Sequence, residues 1–219
     1  EGDAFVAGAA ERFSSAAPAL LFSESVVAGL EESVTSLCAA GAKLLTENAG
    51  RRGPGFRFTP ALLGISAAGF LAAAKALQTE AFGPVGLIVR SPDEAATLKI
   101  IAALDASLTG SIYGAEADRE QAQRLARALR PHVGRLIFNR MPTGVAVSAA
   151  MNHGGPYPST TSRSFTSVGM PAAIRRFGAL YCWDHSPDEW LPAELGDANP
   201  FGVWRIVDGL PQRGALETQ

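Results

Sequence analysis

The residues best suited to chemistry in this sequence are Glu80 and Phe82, which stand two apart immediately before the turn Gly83-Pro84. Glycine tolerates positive φ and proline fixes φ while lacking an amide donor, so the pair predicts a sharp change of direction before an apolar strand over residues 85–89. At the end of a strand, a carboxylate can hydrogen-bond sugar hydroxyls and a ring can pack on a flat heterocycle. The alternative is that Glu80 is a solvated charge at a helix end and that Phe82 fills the core.

The elements that must position these residues alternate between helix and strand. Hydrophobic periodicity and capping residues predict helices over residues 3–15, 67–77 and 116–130, one beginning at Ser23, and one running from Pro92 to about Leu104. Strands are expected over residues 42–46, 56–65, 85–89, 107–113, 136–138 and, as an edge strand, 177–183, with a polar turn over 48–55. This spacing requires crossovers between parallel strands, and therefore predicts an α/β fold with flanking helices.

The cysteines and histidines indicate neither a metal site nor a disulfide. Cys38 falls within a helical apolar stripe and is expected to be a small core residue, while Cys182 lies in a second apolar run. The two are far apart in sequence, and the three histidines, His132, His153 and His185, are scattered. A reducing cytoplasm is the expected compartment.

Composition excludes several functional classes. The chain has 219 residues, 47% of them hydrophobic, which suffices for a substantial core. Its net charge is −2 and no basic block is present, so nucleic-acid binding is not supported. Charged residues and glycines interrupt every apolar run before it reaches the length of a membrane span, and no signal-peptide pattern opens the sequence.

Three segments together resemble the aldehyde dehydrogenase superfamily. Residues 80–84 match its E-x-F-G-P motif, residues 134–139 resemble its G-x-[ILV]-x-[ILV]-N strand, and residues 151–160 resemble its glycine-rich loop on the substrate side. The resemblance implies that Glu80 and Phe82 contact the nicotinamide ribose and ring of NADP or NAD, and that Pro156 shapes the pocket for an aldehyde substrate. The loop at 152–161 and the tail at 197–205 are similar to those of the bacterial, NADP-preferring branch that oxidises 2-oxoglutarate semialdehyde, also called 2,5-dioxovalerate.

Parts of the superfamily's machinery are not found in the sequence. There is no Gly-Gln-x-Cys segment for the nucleophile, no matching general-base segment and no cofactor domain with a phosphate-binding turn. Neither cysteine has the flanking residues of the nucleophile, so no catalytic residue is assigned. We therefore expect the C-terminal portion of a larger enzyme that needs the missing N-terminal half. Residues 1–175 would be the catalytic-domain portion, and residues 176–219 a strand and tail contacting a neighbouring subunit of a homo-oligomer.

Two alternatives stay open on the sequence alone. His153 could act as a base or could hold its turn through hydrogen bonds to the backbone. The whole chain could also be a non-catalytic α/β interaction or ligand-binding module that kept the fold without the nucleophile. A Gly-Gln-x-Cys segment encoded before Glu1 would distinguish an enzyme from such a module.

Overall fold

The computed structural model of the chain describes residues 2–169 and 172–216. Contacts between residues divide the chain into two compact units, Glu1–Ala173 and Ile174–Gln219. The predicted α/β class is confirmed, because helices flank the paired strands of the larger unit.

The elements follow one another in this order. The α-helices are α1 (Gly2–Ser15), α2 (Glu24–Ala39), α3 (Ala67–Ala72), α4 (Ala74–Leu77), α5 (Glu94–Ala102) and α6 (Arg119–Leu129). The strands are β1 (Ala19–Leu20), β2 (Lys43–Leu44), β3 (Gly50–Arg51), β4 (Arg57–Thr59), β5 (Ala61–Ser66), β6 (Val85–Arg90), β7 (Ser107–Ile112), β8 (Val133–Phe138), β9 (Arg205–Val207) and β10 (Leu210–Gln212). Short 3₁₀ helices span Glu116–Asp118, Arg130–His132, Arg163–Phe165, Ala172–Arg176 and Asp188–Trp190.

Two parallel strand pairs form the framework. β5 pairs with β6 over six positions, from Ala61 opposite Val85 to Ser66 opposite Arg90, and α3 and α4 make the crossover. β7 pairs in parallel with β8, and α6 connects the two strands in the sequence. β2 adds an antiparallel edge to β5, and β1, β4 and β3 form a separate antiparallel sheet in that order. The amino ends of β6, β7 and β8 are where the candidate site residues are found.

The core lies between α2 and the β5 region. Val27, Leu30 and Leu37 project from α2 and are at most 3% exposed, and they pack with Phe58 of β4 and Leu63 of β5. Each buried side chain of this size stabilises the fold by roughly 1.5–3 kcal/mol relative to an exposed one. This cluster holds α2 in place, and Leu30 of α2 contacts the loop before β6.

Side-chain caps begin the helices where the sequence indicated. The hydroxyl of Ser23 accepts a hydrogen bond from the Val26 amide at 3.4 Å, and Asp93 accepts from the Ala96 amide at 2.7 Å. Such caps satisfy amides that have no partner within the helix. The predicted helices at Ser23 and near Pro92 are confirmed.

Several local predictions are corrected by the structure. Cys38 is exposed rather than a core residue, because Leu37 takes the buried position and the next residue lies about 100° further round the helix. The strand predicted over residues 56–65 is divided between β4 and β5, with Pro60 between them, and the turn at 48–55 contains β3. Residues 177–183 form no strand: Phe177 closes a turn by donating to the Ile174 carbonyl, and the following residues are irregular.

The second unit is built around a short hairpin. β9 and β10 pair antiparallel, and Asp208 and Gly209 between them both have positive φ, as a type I′ hairpin turn requires. The Asn199 side chain is buried and donates to the carbonyls of Val203 and Arg213 at 3.0 and 2.7 Å. Much of this unit's apolar surface is exposed, including Leu180, Tyr181, Trp190, Phe201 and Trp204.

No helix in the described residues is both long enough and apolar enough to cross a membrane.

Candidate active site

The loop between α4 and β6 is anchored through alternate residues. Ala81 packs against the core cluster, and the space beside the Gly83 Cα is filled by Leu30, whose Cδ2 lies 2.5 Å from where a Cβ would stand. Two tight turns follow, since the Gly83 amide donates to the Ala81 carbonyl and the Val85 amide to the Gly83 carbonyl, both at 2.8 Å. The Pro84 carbonyl accepts from the Ala61 amide at 3.0 Å, which ties the loop to the amino end of β5.

This anchoring turns Glu80 and Phe82 outward. Both side chains are exposed, and Phe82 keeps 70% of its surface accessible. The interpretation of Phe82 as a core residue is therefore wrong. Glu80 forms no ion pair with any cation in the described part of the chain. The carboxylate and the ring are available to a ligand from the same short loop.

Gln78 connects this loop to the segment before β7, a role that the sequence did not indicate. Its amide nitrogen donates to the Ala74 and Ala103 carbonyls at 3.1 and 3.0 Å, and its amide oxygen accepts from the Asp105 amide at 2.7 Å. A carboxamide offers both donors and acceptors, so one side chain can bridge two backbone segments. Ala103 and Asp105 lie 25 and 27 residues away, and no local pattern in the sequence could have identified these two partners.

His132 makes the next link along the same edge. Its Nδ1 lies 2.8 Å from the Leu104 carbonyl, joining the turn before β8 to the turn before β7. The amino ends of β6, β7 and β8 are thus connected by side-chain hydrogen bonds. The candidate residues occupy this amino edge, whereas open parallel sheets usually bind ligands at their carboxyl edge.

The glycine-rich loop that contains Pro156 returns to this edge. A Cβ on Gly134, early in β8, would collide with the Gly154 carbonyl, and a Cβ on Gly155 would stand 2.5 Å from the Ser107 carbonyl at the start of β7. Only glycine permits such close approach of two backbones. Pro156 follows directly and is half-buried.

Hydrogen bonds hold the shape of this loop. Asn152 donates to the Gly154 carbonyl at 3.1 Å and accepts from the Thr166 hydroxyl at 2.5 Å. The Ser159 hydroxyl donates to the Pro156 carbonyl at 2.6 Å, and the Tyr157-Pro158 peptide is cis. The hydrogen bonds of Asn152 and Ser159 hold the turn that contains Pro156.

His153 contributes its backbone to the same loop. Its amide donates to the Thr166 carbonyl at 3.0 Å, and its imidazole is exposed. The main chain, rather than the ring, holds the turn.

Asn139, the last residue of the segment that resembles the superfamily strand, has a structural role at the opposite edge. It adopts a positive φ of 50°, donates to the Gly114 carbonyl at 3.0 Å and accepts from the Gly114 amide at 2.9 Å. This reciprocal pair joins the carboxyl ends of β7 and β8.

Comparison with known proteins agrees with these features. The profile of the aldehyde dehydrogenase family matches residues 17–175, which include the loop of Glu80 and Phe82, the strand β8 and the loop of Pro156. The chain belongs to the aldehyde dehydrogenase family. The predicted resemblance is confirmed.

Curated relatives of this aldehyde dehydrogenase chain carry a more specific name. It is 42% identical over 134 residues to alpha-ketoglutaric semialdehyde dehydrogenase of Acinetobacter baylyi, covering 61% of the chain and 25% of that protein. It is 41% identical over 149 residues to alpha-ketoglutaric semialdehyde dehydrogenase 2 of Azospirillum brasilense, covering 68% of the chain and 28% of that protein. The chain therefore spans about a quarter of the length of these relatives.

Solved structures of other family members share the fold of this aldehyde dehydrogenase chain. The NADP-dependent glyceraldehyde-3-phosphate dehydrogenase of Bacillus halodurans C-125, complexed with NADP, matches with a TM-score of 0.52 and 23% identity, covering 70% of this chain and 31% of that chain. An indole-3-acetaldehyde dehydrogenase complexed with NAD+ matches with a TM-score of 0.55 and 19% identity, covering 72% of this chain and 29% of that chain. Neighbouring aldehyde dehydrogenases thus use NADP or NAD.

Proposed function

We propose that this chain is the C-terminal catalytic-domain portion of an NAD(P)-dependent aldehyde dehydrogenase that oxidises an aldehyde to a carboxylic acid. The observation that supports this most directly is the outward display of Glu80 and Phe82 by a loop anchored at Ala81, Gly83 and Pro84. The loop lies within the segment that matches the family. NADP or NAD supplies the hydride acceptor of the reaction.

The two exposed side chains suit the nicotinamide end of a dinucleotide. A carboxylate accepts hydrogen bonds from two adjacent ribose hydroxyls, and such charge-assisted bonds are about twice as strong as neutral ones. An aromatic ring beside the carboxylate can limit the positions open to a flat heterocycle. In this proposal Glu80 holds the ribose and Phe82 positions the ring, so this part of the enzyme controls the distance over which the hydride moves.

The aldehyde in this proposal is 2-oxoglutarate semialdehyde. Support comes from the names of two relatives that are 42% and 41% identical. Pro156 would shape the aldehyde pocket from a turn that Ser159 and Asn152 keep in place. The nucleophilic cysteine, the general base and the cofactor domain would come from the remainder of the enzyme, in the cytoplasm.

We further propose residues 1–175 as the catalytic-domain portion and residues 176–219 as a tail that contacts a neighbouring subunit of a homo-oligomer. The exposed apolar side chains of the second unit support this role, since Trp190 and Trp204 are each 72% exposed. Exposed apolar surface of this extent commonly marks a contact with another protein.

The cheapest test is to determine the coding sequence upstream of Glu1. The proposal expects a Gly-Gln-x-Cys segment and a dinucleotide-binding domain in the same reading frame. An upstream sequence without that cysteine segment would contradict the enzyme and favour a non-catalytic ligand-binding or interaction module.

The decisive test of the site is Glu80→Gln in the enzyme that joins this chain to its cofactor domain. Loss of one charge-assisted hydrogen bond costs roughly 1.5–3 kcal/mol, so the single-turnover rate of NAD(P)H formation should fall roughly 10- to 150-fold. Single-turnover measurement isolates hydride transfer from cofactor release. Glu32→Gln is the matched control, because Glu32 is an exposed glutamate of α2 outside the site. An unchanged rate in Glu80→Gln would refute the assigned role.

A further inference from the structure

A cavity lined by arginines lies over β8, next to the start of the loop of Pro156, since Met151 and Asn152 are among its lining residues. The chain leaves β8 at Phe138, runs through residues 140–151 and returns to Gly134 near the amino end of the strand. Beneath this segment is a space of about 630 Å³ bordered by Arg135, Ile137 and Arg140. Arg135 and Ile137 are two residues apart on the strand and therefore share one face.

A second space of about 490 Å³ adjoins the first. The two share Arg135, Arg140, Ile137 and Met151, and the second is also bordered by Arg130. Three arginines thus border adjoining cavities whose linings include neither an aspartate nor a glutamate.

The positive charge of this cluster is not neutralised within the described part of the chain. None of its ion pairs involves Arg130, Arg135 or Arg140, although other arginines, such as Arg51 and Arg124, do pair with carboxylates. Opposite charges attract, so arginines without a carboxylate partner favour an anion beside them.

The hydrogen-bonding capacity of the cluster is also largely unused. Arg135 donates to the Gly144 carbonyl at 3.0 Å, and Arg130 donates to the Val133 carbonyl at 3.0 Å. Each guanidinium has five N–H donors, so several remain on both. The bond to Gly144 also holds the overlying segment in place, so the Arg135 side chain is already oriented before any ligand arrives.

We propose that this cavity binds the oxyanion of a small anionic molecule, a carboxylate or a phosphate. Planar guanidinium groups match both oxyanions in geometry and can bind them with two hydrogen bonds at once. The cavities extend along β8, from Arg130 and Arg135 near its amino end to Arg140 just beyond its carboxyl end. This inference does not depend on the proposed dehydrogenase reaction, and it is tested with the chain itself.

The experiment is a titration of the ¹⁵N-labelled chain followed by NMR. Sodium succinate and sodium phosphate are the probes, sodium chloride at matched ionic strength controls for screening, and succinamide is the neutral analogue of succinate. We expect saturable shifts of the amides at residues 140, 141 and 143–146 with succinate or phosphate, and no comparable shifts with chloride or succinamide. Tighter binding of succinate assigns a carboxylate ligand, and tighter binding of phosphate assigns a phosphate.

Three variants locate the site. Arg140→Gln should weaken binding about tenfold or more, and Arg135→Gln should do the same. Because Arg135→Gln also removes the bond to Gly144, the effect of Arg140→Gln is decisive if Arg135→Gln disturbs the fold. Arg127→Gln on α6 removes the same charge outside the cavity and should leave binding unchanged. The proposal is overturned if neither anion gives saturable shifts, if chloride or succinamide reproduces them, or if Arg140→Gln binds as the unmodified chain does.

Discussion

The anchoring of the Glu80 loop can be tested through Gly83. An alanine at this position would place its Cβ 2.5 Å from Leu30 Cδ2 and 3.3 Å from Cδ1. Carbon atoms in contact prefer separations of about 3.5–4.0 Å, so one side must move by about 1 Å. Leu30 is 1% exposed and enclosed by the core cluster, which leaves it little room to change rotamer. The displacement must then be shared between the core and the loop.

Overpacking of this kind costs about 1–3 kcal/mol, and we expect Gly83→Ala to destabilise the chain by that amount. Gly29→Ala is the matched control on α2, because a Cβ there meets nothing within 4 Å. Replacing an unconstrained helical glycine with alanine should instead stabilise the chain by about 0.5–1 kcal/mol. The two glycine substitutions are therefore expected to have opposite signs.

Urea unfolding followed by ellipticity at 222 nm measures both effects. Every α-helix of the described residues lies in the unit Glu1–Ala173, so this signal reports the unit that contains the loop. With a slope of about 2–3 kcal/mol per molar urea, the midpoints of the two variants should differ by roughly 0.5–2 M. If Gly83→Ala unfolds at the same urea concentration as the unmodified chain, the loop is not held against Leu30 as described.

Glu94, Ser111 and the exposed apolar side chains of the second unit each give a further prediction. Arg124 donates two hydrogen bonds to Glu94 and holds the pKa of that carboxyl below its ordinary value of 4.5. The pair therefore stabilises the fold above pH 4.5, and the difference in urea midpoint between the unmodified chain and Glu94→Gln should shrink as the pH falls through the lowered pKa. The Ser111 hydroxyl is buried without a partner among the described residues, so Ser111→Ala should raise stability by about 1 kcal/mol, while Ser107→Ala at an exposed position of the same strand should not. The exposed apolar side chains of the second unit should cause self-association, and light scattering that finds a monomer at all concentrations would contradict a subunit contact there.

The sequence predicted those elements that are determined by local interactions. Ser23 and Asp93 cap helices through bonds to residues three positions away, so their patterns are visible in any short window. The prediction that Cys38 lies in the core is wrong because an apolar stripe defines a helical face only to within about one residue. Leu37 fills the core instead. Residues 177–183 have β-favouring side chains, but a strand also needs a hydrogen-bonding neighbour, which composition does not reveal.

The candidate site depends both on local sequence and on contacts between residues that are far apart in the sequence. The motif that contains Glu80 and Phe82 was recognisable from local sequence, and Gly83-Pro84 predicted the turn that follows it. The contact of Gly83 with Leu30 crosses more than fifty positions and could not be inferred from periodicity. The same holds for Gln78, whose partners Ala103 and Asp105 lie 25 and 27 residues away in the sequence.

Glu80 and the residues that hold its loop contribute to binding in different ways. Glu80 has no ion pair to break among the described residues, so its carboxylate can accept hydrogen bonds from a ligand without first losing an internal partner. Its position is instead set by neighbours that face inward, above all by Gly83 against Leu30 and by Gln78 against the turn before β7. A site arranged in this way keeps its ligand-binding groups unpaired while the backbone that carries them is fixed, which lowers the entropy lost on binding. Substitutions at Gln78 should therefore affect the position of a bound ligand more than substitutions at Thr79, an exposed residue of the same loop with no proposed ligand contact.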